Sequence, residues 1–278
     1  EAGKDYTLTR QDRAILNKKI EAINSAQALP PYLSKEEFVV LFQAQKRLKR
    51  KTLSDLTNEE KGKLYNALNR MIINEVPQRY HQHISKILIG DSYTFLMEDP
   101  SSFLRDGSEF STAMNACGRN HEEKIAMEVL KGNRDWALVE LTEISRRHRY
   151  NLATSMEKVA EGENIIELEN LQYFDGTGIK PEIVGTITGM ILGYCNWRKP
   201  IIGFTEIEDS DGIKVSLRCS RFLSYDGIHF GNIIRDVAQS FGGSGGGHAM
   251  ACGAYIPKSS KDEFIQKFNI SLNGKISM

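Results

Sequence analysis

Apolar and polar positions alternate with two different periods along this chain, and the change of period divides it. Near the N-terminus the period is helical. Leu16, Ile20 and Ile23 recur at i, i+4 and i+7 and form one apolar stripe, which Pro30-Pro31 interrupts. Ser34 with Glu37, and later Thr57 with Glu60, have the spacing of a capping box, in which each side chain satisfies the other's free backbone N–H. The first box leads into Phe38, Val39, Leu41 and Phe42, and the second into Leu64, Leu68, Met71 and Ile72. Residues 1–90 therefore read as a small helical unit. A short helix is expected over 106–118, with Gly118 as its C-terminal cap, and a long connector helix over 134–159.

After Gly162 the pattern becomes strand-like. Residues 165–174 mix β-branched and aromatic side chains. Pro181 opens a helix carrying Ile183, Val184, Ile187 and Met190, since proline at a helix start loses no needed N–H. Runs 201–207 and 213–219 read as strands joined across Glu208-Asp209-Ser210-Asp211-Gly212, a hairpin connection. A helix over 230–241, a glycine-rich loop, a strand over 251–256 and a helix capped by Ser260 with Glu263 complete the pattern. The expected fold is α/β: a helical N-terminal and connector region, then a mixed-sheet domain. The expected divisions are 1–90, 91–160 and 161–278.

Composition adds constraints. Forty per cent apolar and 26% charged residues describe a globular chain, and no apolar run approaches the roughly 20 residues of a membrane span, so a cytoplasmic protein with no membrane partner is expected. The chain opens on Glu1 with no signal-peptide pattern, which fits a start inside a longer product. Lys+Arg and Asp+Glu both number 36, so bulk charge does not mark a nucleic-acid binder and any polyanion site must come from local placement. Cys117, Cys195, Cys219 and Cys252 are widely separated, which favours isolated reduced thiols over a zinc site.

Three segments carry candidate chemistry. In Gly242-Gly243-Ser244-Gly245-Gly246-Gly247-His248, glycines leave backbone N–H groups unshielded, and His248 adds a ring donor or a positive charge. Such a loop suits an anion; the bland alternative is a flexible linker. In Ser216-Leu217-Arg218-Cys219-Ser220, alternation puts Ser216, Arg218 and Ser220 on one strand face, where a planar guanidinium suits a phosphate or base edge. An ordinary exposed sheet face would look the same. Asn115 and Arg119 are four apart, hence on one side of the expected helix, with small residues between them. Capping by Asn115 and pairing of Arg119 with Glu109 or Asp106 would explain that spacing equally well. The basic run 46–51 and the cluster Arg146-Arg147-His148-Arg149 read as solvated helix faces. Asp209 and Asp211 read as turn residues, and His81 and His83 lack a third ligand nearby.

Taken in order, Ser216-x-Arg218-x-Ser220, a helix, and then Gly245-Gly246-Gly247-His248-Ala249-Met250-Ala251 resemble the associated C-terminal domain of the DHH phosphoesterase superfamily. Leu104-Arg105-Asp106, Glu109-Phe110 and Asn115-Ala116-Cys117-Gly118-Arg119 resemble a motif of its archaeal RecJ-like branch, and the likeness covers roughly residues 50–275. Ser244 within the glycine run and Cys252, where alanine is usual, are small departures.

By that resemblance the chain is the substrate-binding half of a metal-dependent exonuclease acting on single-stranded DNA or short RNA. Gly245, Gly246, Gly247 and His248 would touch the phosphate backbone or terminal nucleotide. Arg218 and Ser220 would face the same groove, and Asn115 and Arg119 would approach the scissile end. The family's Asp-His-His tripeptide does not occur in this sequence. No catalytic residue, metal ligand or cofactor is therefore expected in this chain, and it should not cut alone. Mn or Mg would sit in a separate N-terminal DHH domain, its first partner. A catalytically inactive replisome scaffold binding the GINS complex is the alternative within the family. The related C-terminal domain of alanyl-tRNA synthetase is a third reading, against which the Asn115–Arg119 segment speaks.

Overall fold

The computed structural model describes residues 56–160 and 165–276. The stripe from Leu16 to Ile23, the Ser34–Glu37 box, the helix expected after it and the basic run 46–51 lie outside the described residues. The chain forms two compact units, Glu1–Thr112 and Ala113–Met278.

In the first unit, α1 spans Asn58–Glu75 and begins at the expected capping box. Glu60 N–H donates to Thr57 Oγ1 at 3.2 Å, and Thr57 N–H donates to Glu60 Oε2 at 2.9 Å. Leu64, Ala67 and Met71 are its buried positions, so the inward stripe is turned slightly from Leu68 and Ile72. A 3-10 turn, Gln78–His83, buries Tyr80 and runs into α2, Ile84–Leu88. His81 and His83 sit on that turn, where the His81 ring meets the Val76 carbonyl at 3.1 Å.

Helix α3, Gly107–Arg119, starts where expected because Asp106 Oδ1 accepts from Ser108 N–H and Glu109 N–H, both at 2.9 Å. It does not stop at Gly118. The helix runs on to Arg119, and the left-handed residue that ends it is His121, at φ 59°. Asn120 makes the longer helix affordable: its Nδ2 donates to the Ala116 carbonyl at 2.7 Å, so a side chain fills the role foreseen for glycine geometry.

The second unit continues with α4, Glu123–Leu130, and the connector α5, Trp136–Ala160. The segment 165–174 becomes two strands, β1 (Ile165–Glu167) and β2 (Gln172–Asp175), because the chain turns back where Leu168 N–H donates to the Leu171 carbonyl. Then come α6 (Pro181–Ile191), β3 (Ile201–Glu206), β4 (Gly212–Arg218), α7 (Arg221–Tyr225) and α8 (Phe230–Gln239). The strands β5 (Ser244–Gly247) and β6 (Ala251–Pro257) and the helix α9 (Lys261–Ser271) follow. The sheet order is β1-β2-β3-β4-β6-β5, with β2 and β3 parallel and the other pairs antiparallel.

The pleat sends alternate side chains to two cores. Ile202, Phe204, Val215 and Leu217 pack with Phe230 and Ile234 of α8 and Phe264 and Phe268 of α9. Phe174 and Ile201 pack under Ile183, Val184, Ile187 and Ile191 of α6. The sheet is thus a layer between helices, as an α/β domain requires.

Three local expectations change. The glycine run is an edge strand rather than a loop, with Gly246 at φ +152° and Gly247 at φ +128°, a backbone that glycine alone adopts without strain. Ser220 lies beyond β4, which ends at Arg218, and holds the N-cap position of α7. Ser260 makes no cap bond: a 3-10 turn, Lys258–Ser260, precedes α9 and leaves Ser260 at ψ 3°, outside the extended geometry a cap needs.

Candidate nucleic-acid interface

The site is built around Arg218, the last residue of β4. Its side chain points to the α6 face, where α6 has glycine at two positions four apart. A Cβ at Gly185 would stand 2.9 Å from Arg218 Nη2 and 3.4 Å from Ser216 Oγ, and one at Gly189 would lie 3.7 Å from Arg218 Cγ. The two glycines form a channel along the helix that receives the arginine stem. Arg218 is half-buried, and its Nη1 donates to the Leu217 carbonyl at 2.8 Å. Burial lowers its pKa from the ordinary arginine value; the nearby Cys252 thiol opposes that shift and the positive charge of Arg119 adds to it.

Arg119, at the end of α3, is the second cation. One of its guanidinium nitrogens donates to the Glu182 carbonyl in the first turn of α6. Neither Arg119 nor Arg218 has a carboxylate partner among the described residues, whereas Arg146 meets Glu143 at 2.7 Å and Arg235 meets Asp236 at 3.2 Å. The pairing of Arg119 with Glu109 or Asp106 does not form. Asp106 caps α3 instead. Asn115 is exposed one turn before Arg119 on the same helix.

Behind Arg119 lies His148 of α5, only 5% exposed. Asn120 Nδ2 and His148 Nδ1 are 3.4 Å apart; with Nδ1 as the acceptor, the ring proton is on Nε2. Burial, and secondly the charge of Arg119, lower the His148 pKa from its ordinary value. The Arg146–Arg149 cluster is thus not uniformly solvated. Arg146 and Arg149 are exposed, but His148 faces inward.

The glycine–histidine segment reaches the same end of the sheet. Arg218 pairs with Ala251, and the Ala251 carbonyl accepts from His248 N–H at 3.0 Å. Arg218, Ala251 and His248 therefore form a row across three chain segments, with Arg218 and His248 about 10 Å apart at ordinary strand spacing. His248 is exposed. The backbone does not form an all-donor nest, because Gly245, Gly246 and Gly247 pair with Ala254, Gly253 and Cys252. As an edge strand, β5 directs its alternate N–H and C=O groups away from the sheet. The first turn of α8 packs onto this backbone: a Cβ at Gly231 would come within 2.2 Å of the Gly247 carbonyl oxygen.

The structure thus brings Arg119 and Arg218 within electrostatic reach, sets His248 in the row of Arg218, and places Ser220 two residues past it with a buried hydroxyl that has no hydrogen-bond partner. Among the described residues no hydrogen bond joins Asn115 to this group. His148 was read only within a solvated cluster, and Gly185 and Gly189 were not singled out, although two glycines inside a helical pattern are a signal of close approach. The cysteines are free, and burial pushes Cys219 and Cys252 up to about 12. Among the described residues there is no group of three or more His, Cys, Asp or Glu placed to hold a metal ion.

Residues 168–273 match the family model of the DHHA1 domain. The matched segment, which holds β2 to α9, is similar to a DHHA1 domain. The resemblance drawn from Arg218 and the Gly245–His248 segment falls inside its bounds. An uncharacterized protein of Methanocaldococcus jannaschii is 30% identical over 164 residues, 59% of this chain and 34% of its own length. The chain thus spans about a third of the curated relative it matches. Among solved structures, RecJ of Thermus thermophilus with Mn2+ is 13% identical, at a TM-score of 0.49 over 90% of this chain and 34% of RecJ. The C-Ala domain of Aquifex aeolicus alanyl-tRNA synthetase is 18% identical, at a TM-score of 0.34 over 40% of this chain and 98% of its own. No helix of the described residues is long and apolar enough to cross a membrane.

Proposed function

We propose that this chain is the substrate-holding portion of a RecJ-like metal-dependent exonuclease, and that it grips single-stranded DNA or short RNA by its phosphates. The observation that carries this reading is that Arg119 bonds the Glu182 carbonyl and Arg218 lies against Gly185 of the same helix, neither with a carboxylate partner among the described residues. Partly burying two guanidiniums against one helix is unfavourable unless an anion completes the arrangement. A phosphodiester does so, since its oxygens accept the paired hydrogen bonds of a planar fork.

In this reading Arg218 and Arg119 hold one phosphate from two directions. Ser220 adds a hydroxyl, Asn115 meets the strand one helical turn away, and His248 with the outer edge of Gly245–Gly247 receives the neighbouring phosphate or terminal nucleotide. Hydrolysis belongs to a DHH domain elsewhere in the polypeptide, where Mn or Mg would supply an activated water. The residues described here bind and orient; they move no proton at the scissile bond.

The test is fluorescence anisotropy of a labelled oligothymidylate titrated with this chain and with its Arg218→Ala and Arg119→Ala variants. Binding by the parent and a loss of roughly 10-fold or more in either variant is expected, the worth of a charged hydrogen bond. Equal affinity of all three proteins would overturn the reading.

A further inference from the structure

An aromatic pair sits beside the arginine site at the same end of the sheet. Ile201 opens β3 opposite Arg218, so the loop that precedes Ile201 lies next to Arg218. That loop carries Trp197. Its ring meets Phe222, four residues past Arg218, with centroids 5.2 Å apart and planes inclined at 61°. Both rings are half-buried. The Arg198 guanidinium lies over the Trp197 ring, 5.0 Å from its centre.

The loop is held rigid from below. Gln172, 2% exposed, reads Asn196 in both directions: its Nε2 donates to the Asn196 carbonyl at 2.8 Å, and its Oε1 accepts from Asn196 N–H at 2.9 Å. Asn196 Oδ1 in turn accepts from Arg198 N–H at 3.1 Å. Lys199 donates to the Leu168 carbonyl at 2.7 Å and pairs with Glu167 at 2.8 Å. A buried glutamine and a clamped lysine thus fix the backbone on both sides of Trp197, and the ring is ordered before anything binds.

Two arginines flank the pair in sequence, Arg198 next to Trp197 and Arg221 next to Phe222. Arg198 and Arg221 are exposed and, like Arg218, have no ion pair among the described residues. Glu167 is already engaged by Lys199 and Asn196. An aromatic surface flanked by two exposed arginines, at the end of the sheet that carries Arg218, matches a nucleotide in both of its parts.

We propose that Trp197 and Phe222 form a nucleobase-stacking platform, with Arg198 and Arg221 taking the phosphates on either side of the stacked base. The proposal rests on the phosphate-holding reading and deepens it: the ligand is recognised as a strand carrying bases, not as a bare polyanion. A base entering over the indole displaces the exposed Arg198, whose guanidinium then meets the adjoining phosphate. Every base has a π face, so the platform is tolerant of sequence. Its pre-ordered loop spares the entropy of fixing the ring on binding.

The experiment compares this chain with its Trp197→Leu, Trp197→Phe and Arg218→Ala variants on an oligothymidylate and on an abasic oligonucleotide of the same length. Trp197→Leu should weaken the oligothymidylate roughly 5- to 150-fold while changing the abasic strand less than about twofold. Trp197→Phe, which keeps an aromatic face, should recover most of the loss and shows that the loop still folds. Equal effects of Trp197→Leu on the two ligands, or no effect on either, would overturn the platform. Parent chain that binds both ligands alike, with both lost in Arg218→Ala, would remove the platform and keep the phosphate site. Parent chain that binds neither would remove both.

Discussion

The Arg218 guanidinium occupies the space where a side chain at Gly185 would begin: a Cβ there would lie 2.9 Å from Arg218 Nη2. Cation and glycine belong to different elements 33 residues apart in sequence, and each makes the other useful. Without glycine at 185 the arginine could not lie along α6, and without the arginine a helix-interior glycine is merely destabilising.

That relationship separates stability from binding. In Gly185→Ala the new methyl crowds the far end of a flexible side chain and touches Ser216 Oγ at 3.4 Å, close to an ordinary contact, while alanine improves the helix by roughly 1 kcal/mol. The thermal midpoint should hold or rise slightly, while affinity for an oligothymidylate falls as the guanidinium is displaced. A variant that binds like the parent would show that the position of Arg218 along α6 is immaterial.

His248 is exposed and, in the proposed function, meets a phosphate, so His248→Ala should leave the unfolding curve unchanged and weaken strand binding. If contacts to phosphates dominate, log affinity should fall with log salt at a slope of about −0.7 per phosphate neutralised. Titrations at several salt concentrations read that slope, which should become shallower in Arg218→Ala.

Gly231 faces backbone rather than a movable side chain. A methyl at 231 would lie 2.2 Å from the Gly247 carbonyl oxygen, so α8 and β5 must part. Gly231→Ala should therefore destabilise the domain by roughly 1–3 kcal/mol, the usual cost of overpacking, and weaken binding through the displaced His248. Urea unfolding followed by circular dichroism measures the first effect.

His148 gives a pH dependence of defined sign. Burial first, and Arg119 second, depress its folded-state pKa below the ordinary 6.5. The unfolded chain then takes up a proton at a higher pH than the folded chain does. Stability is complete above about pH 6.5 and falls as the pH drops below it, toward the folded pKa. His148→Gln, which keeps a polar partner for Asn120, should flatten that part of the stability profile. A slope equal to the parent's would assign it to other groups.

Much of the fold was legible along the chain. The Thr57–Glu60 box, the start of α3 at Asp106, proline at the head of α6 and the turn between β3 and β4 each depend on residues within a few positions of one another. One misreading came where a distant partner decides. Ser244–Gly247 has the composition of a loop, and becomes a strand because β6 offers a ladder on one side and α8 a packing surface on the other. Another was local: Gly118 looks like a helix end until Asn120 bonds back to Ala116.

The residues that resemble a DHHA1 domain, Arg218 and Gly245 to His248, could be recognised from residue types and order alone. So could the alternation of strand and helix, because hydrophobic period and turn chemistry are local properties of a chain. What those residues face was decided only in three dimensions. The glycine channel beneath Arg218, the approach of Arg119, the burial of His148 and the contact of Trp197 with Phe222 join segments 25 to 99 positions apart. Their physical basis is the packing of α3, α5 and α6 with the sheet. Packing removes water from these groups, and that desolvation holds the pKa of Arg218 and of His148 below their ordinary values.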